Sequence, residues 1–173
     1  RPYLYNSAFL VTAEGRASDR YDKRHLVPFG EYIPLRSILF FLDKLVVGIG
    51  DFKSGQGAMT MQIPTEPPGT GPRFGVAICF EVIFPDLVRR MAGEGANFLV
   101  TITNDAWFGD SAAPYQHFGM VVFRAVENHL GFARAANTGI SGFIAPDGDI
   151  LFQTSVFSEQ AVTGLLPLRS SSP

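Results

Sequence analysis

Only one of the 173 residues is a cysteine, Cys79. No intrachain disulfide can form, so the thiol count leaves the compartment open. Charge is sparse as well. Charged residues make up 17% of the chain and the formal net charge is −2, which gives no electrostatic case for nucleic acid as a partner. Long apolar runs are missing too. A membrane span needs about 20 consecutive apolar residues. The most apolar stretch, Ile38-Leu39-Phe40-Phe41-Leu42, meets Asp43 and Lys44 at once. The opening Arg1-Pro2-Tyr3 lacks the basic start and apolar stretch of a signal peptide. As it stands, the chain is expected to be soluble or to lie on a surface. It has neither a glycine-rich phosphate loop nor a Gly-x-Ser-x-Gly elbow, which argues against a nucleotide enzyme or a serine hydrolase. His25, His117 and His129 are scattered, without second-ligand spacing, so no metal and no cofactor is expected.

What is present is a globular balance. Hydrophobic residues make up 46%, and the length suits one domain with a real core. We expect a domain over residues 1–168 and a short tail over 169–173, where Arg169-Ser170-Ser171-Ser172-Pro173 reads as a frayed end or linker. A hairpin is expected from 3–12 and 17–21, with Gly15 in its turn. Pro28, Gly30 and Pro34 make 22–35 an irregular loop. Helices are expected over 37–47, from Pro85 to Met91, and over 114–130, the last with Phe118, Val121, Val122 and Ala125 on one apolar stripe. Strands are expected at 58–63, 74–80, 97–103, 133–136, 140–145, 150–154 and 161–166. Strands alternating with helices give an α/β domain, and the hairpins at both ends argue for mixed sheets.

Cys79 sits in the run GVAICFEVIF, residues 75–84, two residues before Glu81. One reading is a packed core cysteine with a stray charge beside it. The other is a nucleophile at a strand-to-helix elbow, since ligands bind at the ends of strands in α/β sheets. A free thiol has a pKa of about 8.5 and needs a cation, a base or a helix N-terminus to react as a thiolate. Lys23 is the candidate cation. It is either an ordinary solvated lysine or one held in the proline-rich loop for that purpose. Glu31, eight residues on, is either an exposed carboxylate or the partner that braces Lys23. Trp107 and Phe108, in the loop 104–111, form either a satellite hydrophobic cluster or an apolar wall for a substrate.

Four stretches then carry a resemblance: YDKRHLVPFGEYIPL at 21–35, GVAICFEVIFPDLVR at 75–89, TNDAWFGDSAAPYQHF at 103–118 and, more weakly, RAANTGISGFIAPDGDI at 134–150. They resemble the nitrilase (carbon–nitrogen hydrolase) superfamily and, within it, the bacterial apolipoprotein N-acyltransferase family. The resemblance implies a nitrilase-like α-β-β-α sandwich and a Glu–Lys–Cys triad. Cys79 matches the nucleophile, Lys23 the lysine that stabilises the oxyanion, and Glu31 a second glutamate near the site. Glu81 matches a glutamate beside the nucleophile and is grouped with Phe80, Trp107 and Phe108 as a substrate-binding residue, and Trp107 and Phe108 match aromatics of the acyl-chain pocket. The backbone N–H of Phe80, after the nucleophile, is placed to help bind the oxyanion. The implied partners are a phospholipid acyl donor, a diacylglyceryl apolipoprotein acceptor and the membrane, through flanking helices this chain lacks. The implied location is the bacterial inner membrane, with the catalytic domain on its periplasmic side. Other readings are a soluble amidase or nitrilase that uses water as acceptor, and a non-catalytic lipid- or lipoprotein-binding remnant.

Two departures qualify the match. The family's general-base glutamate lies well upstream of the lysine, and no carboxylate in the 22 residues before Lys23 fits that role. The chain is therefore expected to be N-terminally truncated and inactive alone. Position 80 is phenylalanine where many relatives have tyrosine. In this frame the helix over 37–47 either packs on the core or dips its phenylalanines into the bilayer surface.

Overall fold

The computed structural model describes residues 3–34 and 52–170. The helix expected over 37–47 lies outside the described residues. Eight strands and two α-helices are present among them: β1 (Ser7–Val11), β2 (Ala17–Asp22), β3 (Thr60–Gln62), β4 (Arg73–Ile78), α1 (Pro85–Gly93), β5 (Phe98–Asn104), α2 (Ala113–Asn128), β6 (Phe132–Asn137), β7 (Gly142–Ile144) and β8 (Ile150–Gln153). Short 3-10 turns follow β4 at Cys79–Ile83 and β5 at Asp105–Phe108.

The strands β3 to β8 form one sheet in which spatial order repeats chain order. Its centre, β4-β5-β6, is parallel, while β3, β7 and β8 join antiparallel. The expected α/β class with mixed sheets is what these residues form. A central parallel strand is covered on both faces, and β4 is accordingly apolar and buried from Phe74 to Ile78. Side chains alternate across it. Gly75, Leu99 and Phe132 are neighbours in register and share one face. A Cβ on Gly75 would lie 2.7 Å from Met91 of α1, so the glycine lets α1 settle closely onto the sheet. Pro85 opens α1, where its missing N–H costs nothing. In α2 the buried residues include Phe118, Val121 and Ala125, as its stripe predicts, together with His117 and Arg124. The β1–β2 hairpin forms a separate two-stranded sheet that packs beside β3 and β4.

One strand expectation fails. Residues 161–166 form no strand. Gly164 lies against the ring of Phe143, Leu166 against Gly131, and the Arg169 N–H donates to the Asn97 carbonyl at 2.9 Å. The segment thus passes in turn by β7, the start of β6 and the start of β5, across the sheet rather than along its edge. A transverse chain cannot keep a ladder's register, so its apolar residues dock singly. Leu165, at 94% exposed, docks on nothing.

Candidate active site

The strand β4 stops two residues earlier than its apolar run predicts, at Ile78. Cys79 begins a 3-10 turn with φ +54°, a left-handed conformation that costs a non-glycine residue about 1–3 kcal/mol and persists only where surroundings fix it. Those surroundings are visible on both sides of the cysteine. Upstream, the Ile78 N–H donates to Glu81 Oε2 at 2.8 Å. Downstream, His117 Nε2 lies 3.2 Å from the Cys79 carbonyl oxygen. Arg124 of α2 donates to the Ile83 carbonyl at the end of the same turn.

Glu81 was expected to touch substrate, and the structure places it elsewhere. Its side chain is fully buried. Its Oε1 accepts from the Tyr21 hydroxyl at 2.9 Å, the Arg24 N–H at 2.7 Å and the His25 N–H at 3.1 Å. A carboxylate facing four donors is a brace that pins the loop after β2 to the elbow. Burial, then the charge of Glu81, raises the Tyr21 phenol above its ordinary value, so it stays an O–H donor.

That loop carries the cation. Lys23 is 1% exposed, and its Nζ lies 2.9 and 2.8 Å from the two oxygens of Glu31. Glu31 also accepts from Asn6 Nδ2 and the Val27 N–H, both at 2.8 Å. A lysine buried this far needs its charge compensated, which rules out the solvated reading of Lys23.

Cys79, Phe80, Lys23 and Glu31 line one cleft of about 840 Å³. Its remaining lining is mostly apolar, with Val27, Phe52, Ile78 and Ile102 among its walls and Trp107 and Phe108 on the loop after β5. Asn104 caps the 3-10 turn that presents those aromatics, its side chain accepting from the Ala106 N–H. Trp107 stands 87% exposed and Phe108 38%, so they form a lip rather than a buried cluster. Six of the seven expected site residues therefore surround this cleft, and Glu81 lies beneath it.

Sequence reasoning missed the polar cluster behind the elbow. His117 Nδ1 lies 3.0 Å from Asp105 Oδ1, and Arg134 Nη2 lies 2.7 Å from Asp105 Oδ2. Thr103 also donates to Asp105. Burial opposes the charge on Asp105, but the His117 hydrogen bond and the Arg134 charge outweigh it and hold the carboxyl below its ordinary value. Burial draws the Arg134 guanidinium down from its ordinary value, against the pull of Asp105. A Cβ on Gly139 would sit 2.2 Å from Asp105 Oδ2, so only glycine admits the carboxylate there. The available signal was a histidine on the apolar stripe of α2, four residues before Val121 and eight before Ala125.

Comparison with known proteins identifies the family. The chain is 52% identical over 159 residues to a Geobacter metallireducens protein named apolipoprotein N-acyltransferase, covering 92% of this chain and 29% of the relative. It is 38% identical over 174 residues to one of the same name from Rickettsia prowazekii, covering 98% and 33%. The chain thus spans about a third of the length of these curated relatives. Among solved structures, Nit3 of Saccharomyces cerevisiae, a member of branch 10 of the nitrilase superfamily, superposes with a TM-score of 0.63 at 19% identity, covering 90% of this chain and 51% of that one. An amidase from Nesterenkonia sp. gives 0.60 at 24% identity, covering 87% and 51%. These last two share the fold. The carbon-nitrogen hydrolase family model matches residues 1–172, and the chain belongs to that family.

Proposed function

We propose that this chain carries the nucleophile of an acyltransferase that N-acylates the terminal diacylglyceryl-cysteine of apolipoproteins, with a phospholipid as acyl donor. The observation that carries the reading is the cleft. Cys79 opens into a largely apolar space of about 840 Å³ with an aromatic lip, near the upper end of ordinary ligand pockets and suited to an acyl chain rather than a small polar amide. The likeness to proteins named apolipoprotein N-acyltransferase supports the same reading.

In the first half-reaction the Cys79 thiolate attacks the donor ester carbonyl. Lys23 and the Phe80 N–H stabilise the oxyanion, the C–O bond breaks, and the lysophospholipid leaves with the proton that a general base took from the thiol. In the second, the free α-amine of the lipid-modified cysteine attacks the thioester. The C–S bond breaks, an amide forms, the amine proton passes to the base, and the thiolate returns. Glu31 holds Lys23 in place throughout, through its two contacts to Nζ. Both substrates belong to a membrane, and the setting proposed for the reaction is the periplasmic side of the bacterial inner membrane, as the resemblance implies. Among the described residues no helix is long and apolar enough to cross a membrane, so contact with the bilayer from these residues falls to surface groups such as the Trp107 lip.

Mass analysis of the intact protein after incubation with phospholipid vesicles tests the reading. One acyl adduct is expected on Cys79, discharged to an amide by a diacylglyceryl-cysteine peptide and missing from Cys79→Ala. An unmodified wild type, or an adduct that survives the substitution, would sink the proposal. Free fatty acid in place of the amide would make water the acceptor and the protein a hydrolase.

Trp107→Ala gives a second check. So exposed a side chain contributes little to folding, so the melting temperature should stay within about 1 °C of wild type. The apparent KM for phospholipid should rise about tenfold, the equivalent of about 1.4 kcal/mol of lost lipid contact.

A further inference from the structure

We infer that His117 is a positioning residue for the reacting peptide, a role that rests on Cys79 being the nucleophile as proposed above. The Cys79–Phe80 peptide is shared by two tasks. Its carbonyl belongs to the strained residue that carries the sulfur, and its N–H is the Phe80 amide aimed at the oxyanion. Fixing the carbonyl therefore fixes the amide, because the peptide unit is planar.

His117 is placed to do this. It is 6% exposed, on the buried stripe of α2, and its Nε2 meets the Cys79 carbonyl oxygen at 3.2 Å. Its partners decide its hydrogens. With both ring nitrogens protonated, Nδ1–H donates to Asp105 and Nε2–H to the carbonyl. With the ring neutral, Nδ1 accepts from Arg134 Nη2, 3.2 Å away, and Nε2 again carries the hydrogen. The remaining tautomer, with its hydrogen on Nδ1 alone, would keep the Asp105 hydrogen bond at 3.0 Å but set the Nε2 lone pair against a carbonyl oxygen that can only accept, so the 3.2 Å contact to Cys79 selects a hydrogen on Nε2. In either arrangement Nε2 donates to Cys79. Asp105 and Arg134 hold the ring, Gly139 leaves room for Asp105, and the Phe108 ring packs edge-on against His117 at 5.9 Å. The cluster is anchored just past the end of β5, within β6 and on α2, so three rigid elements converge on one carbonyl.

Three substitutions separate positioning from bulk packing. His117→Gln keeps a donor at the Nε2 position. His117→Met has a similar length without a donor, and His117→Asn keeps only the Nδ1 position. In the intact protein, His117→Gln should retain kcat for acyl transfer within about threefold, whereas Met and Asn should lose about 10- to 100-fold, the scale of a small misplacement of reacting groups. KM for phospholipid should not move in any of them. The rate of Cys79 alkylation by iodoacetamide should fall in the same order. Equal rates in all three, losses in KM rather than kcat, or failure of all three to fold would overturn the proposal. The alkylation series needs no acyl donor. If wild type forms no acyl adduct the acyltransferase reading fails, while the alkylation rates still decide whether His117 positions Cys79.

Discussion

Replacing Lys23 with methionine is expected to lower acyl transfer in the intact protein by about a thousandfold, the scale seen when a preorganised oxyanion donor is removed. The geometry also predicts a cost in stability. Lys23 is buried against Glu31, and removing one partner of a buried pair leaves the other uncompensated, at about 3–5 kcal/mol. Glu31 keeps Asn6 and the Val27 N–H and is slightly open to solvent, so the lower end of that range applies. The double variant Lys23→Met/Glu31→Gln removes the stranded charge and should recover part of the lost melting temperature. It should recover none of the turnover. Measuring both quantities on both proteins separates charge balance from chemistry. A single variant that keeps turnover within tenfold of wild type would remove Lys23 from the mechanism.

Glu81→Ala is expected to cost at least about 4 kcal/mol, because it strands a tyrosine hydroxyl and three backbone N–H groups, and a buried donor without an acceptor costs about 1–3 kcal/mol. For a domain of this size that is a fall of roughly 10 °C in melting temperature. The loss should be graded. Tyr21→Phe removes a single donor and should cost about 1 kcal/mol. Glu81→Gln keeps the oxygen that faces Tyr21, Arg24 and His25 but sets its amide against the Ile78 N–H, and should fall between the two. Thermal unfolding of the three variants checks the order. A melting temperature for Glu81→Ala within a degree or two of wild type would mean the loop is held by something else. Activity should fall with stability here, because the loop that Glu81 pins to the elbow is the loop that delivers Lys23.

The contrast between Lys23 and Glu81 marks where the sequence was legible. Local patterns were enough for the strand run ending at Cys79, the proline-rich loop around Lys23 and the aromatic pair after β5. Each carries its signal within about fifteen residues. Glu81 was misplaced because its neighbours in sequence are apolar, and only the fold reveals that Tyr21, Arg24 and His25 come to meet it. His117 was passed over for the same reason. Tested as a metal ligand it has no companion at the right spacing, and its actual partners stand 12 and 17 residues away on other elements. The strand expected over 161–166 failed for a different reason. Its apolar residues, Ala161, Val162, Leu165 and Leu166, suggest a strand, but the segment crosses the sheet rather than pairing along it, and strand propensity without a partner does not make a ladder.

The order of strands in the large sheet bears on how the molecule is made. Because neighbours in space are neighbours in sequence from β3 to β8, a ribosome delivering the chain hands over each strand while its partner is already present. No strand waits for a distant one, and pairings over short separations close quickly. The chemistry does not share that convenience. Lys23 and Glu81 are 58 positions apart, so the hairpin, made first, waits with its loop unpinned until β4 and Glu81 follow and the brace can close. Synthesis would therefore pass through a species with a formed hairpin and an unpinned lysine loop, and the cleft takes shape only once the elbow that carries the thiol has been made.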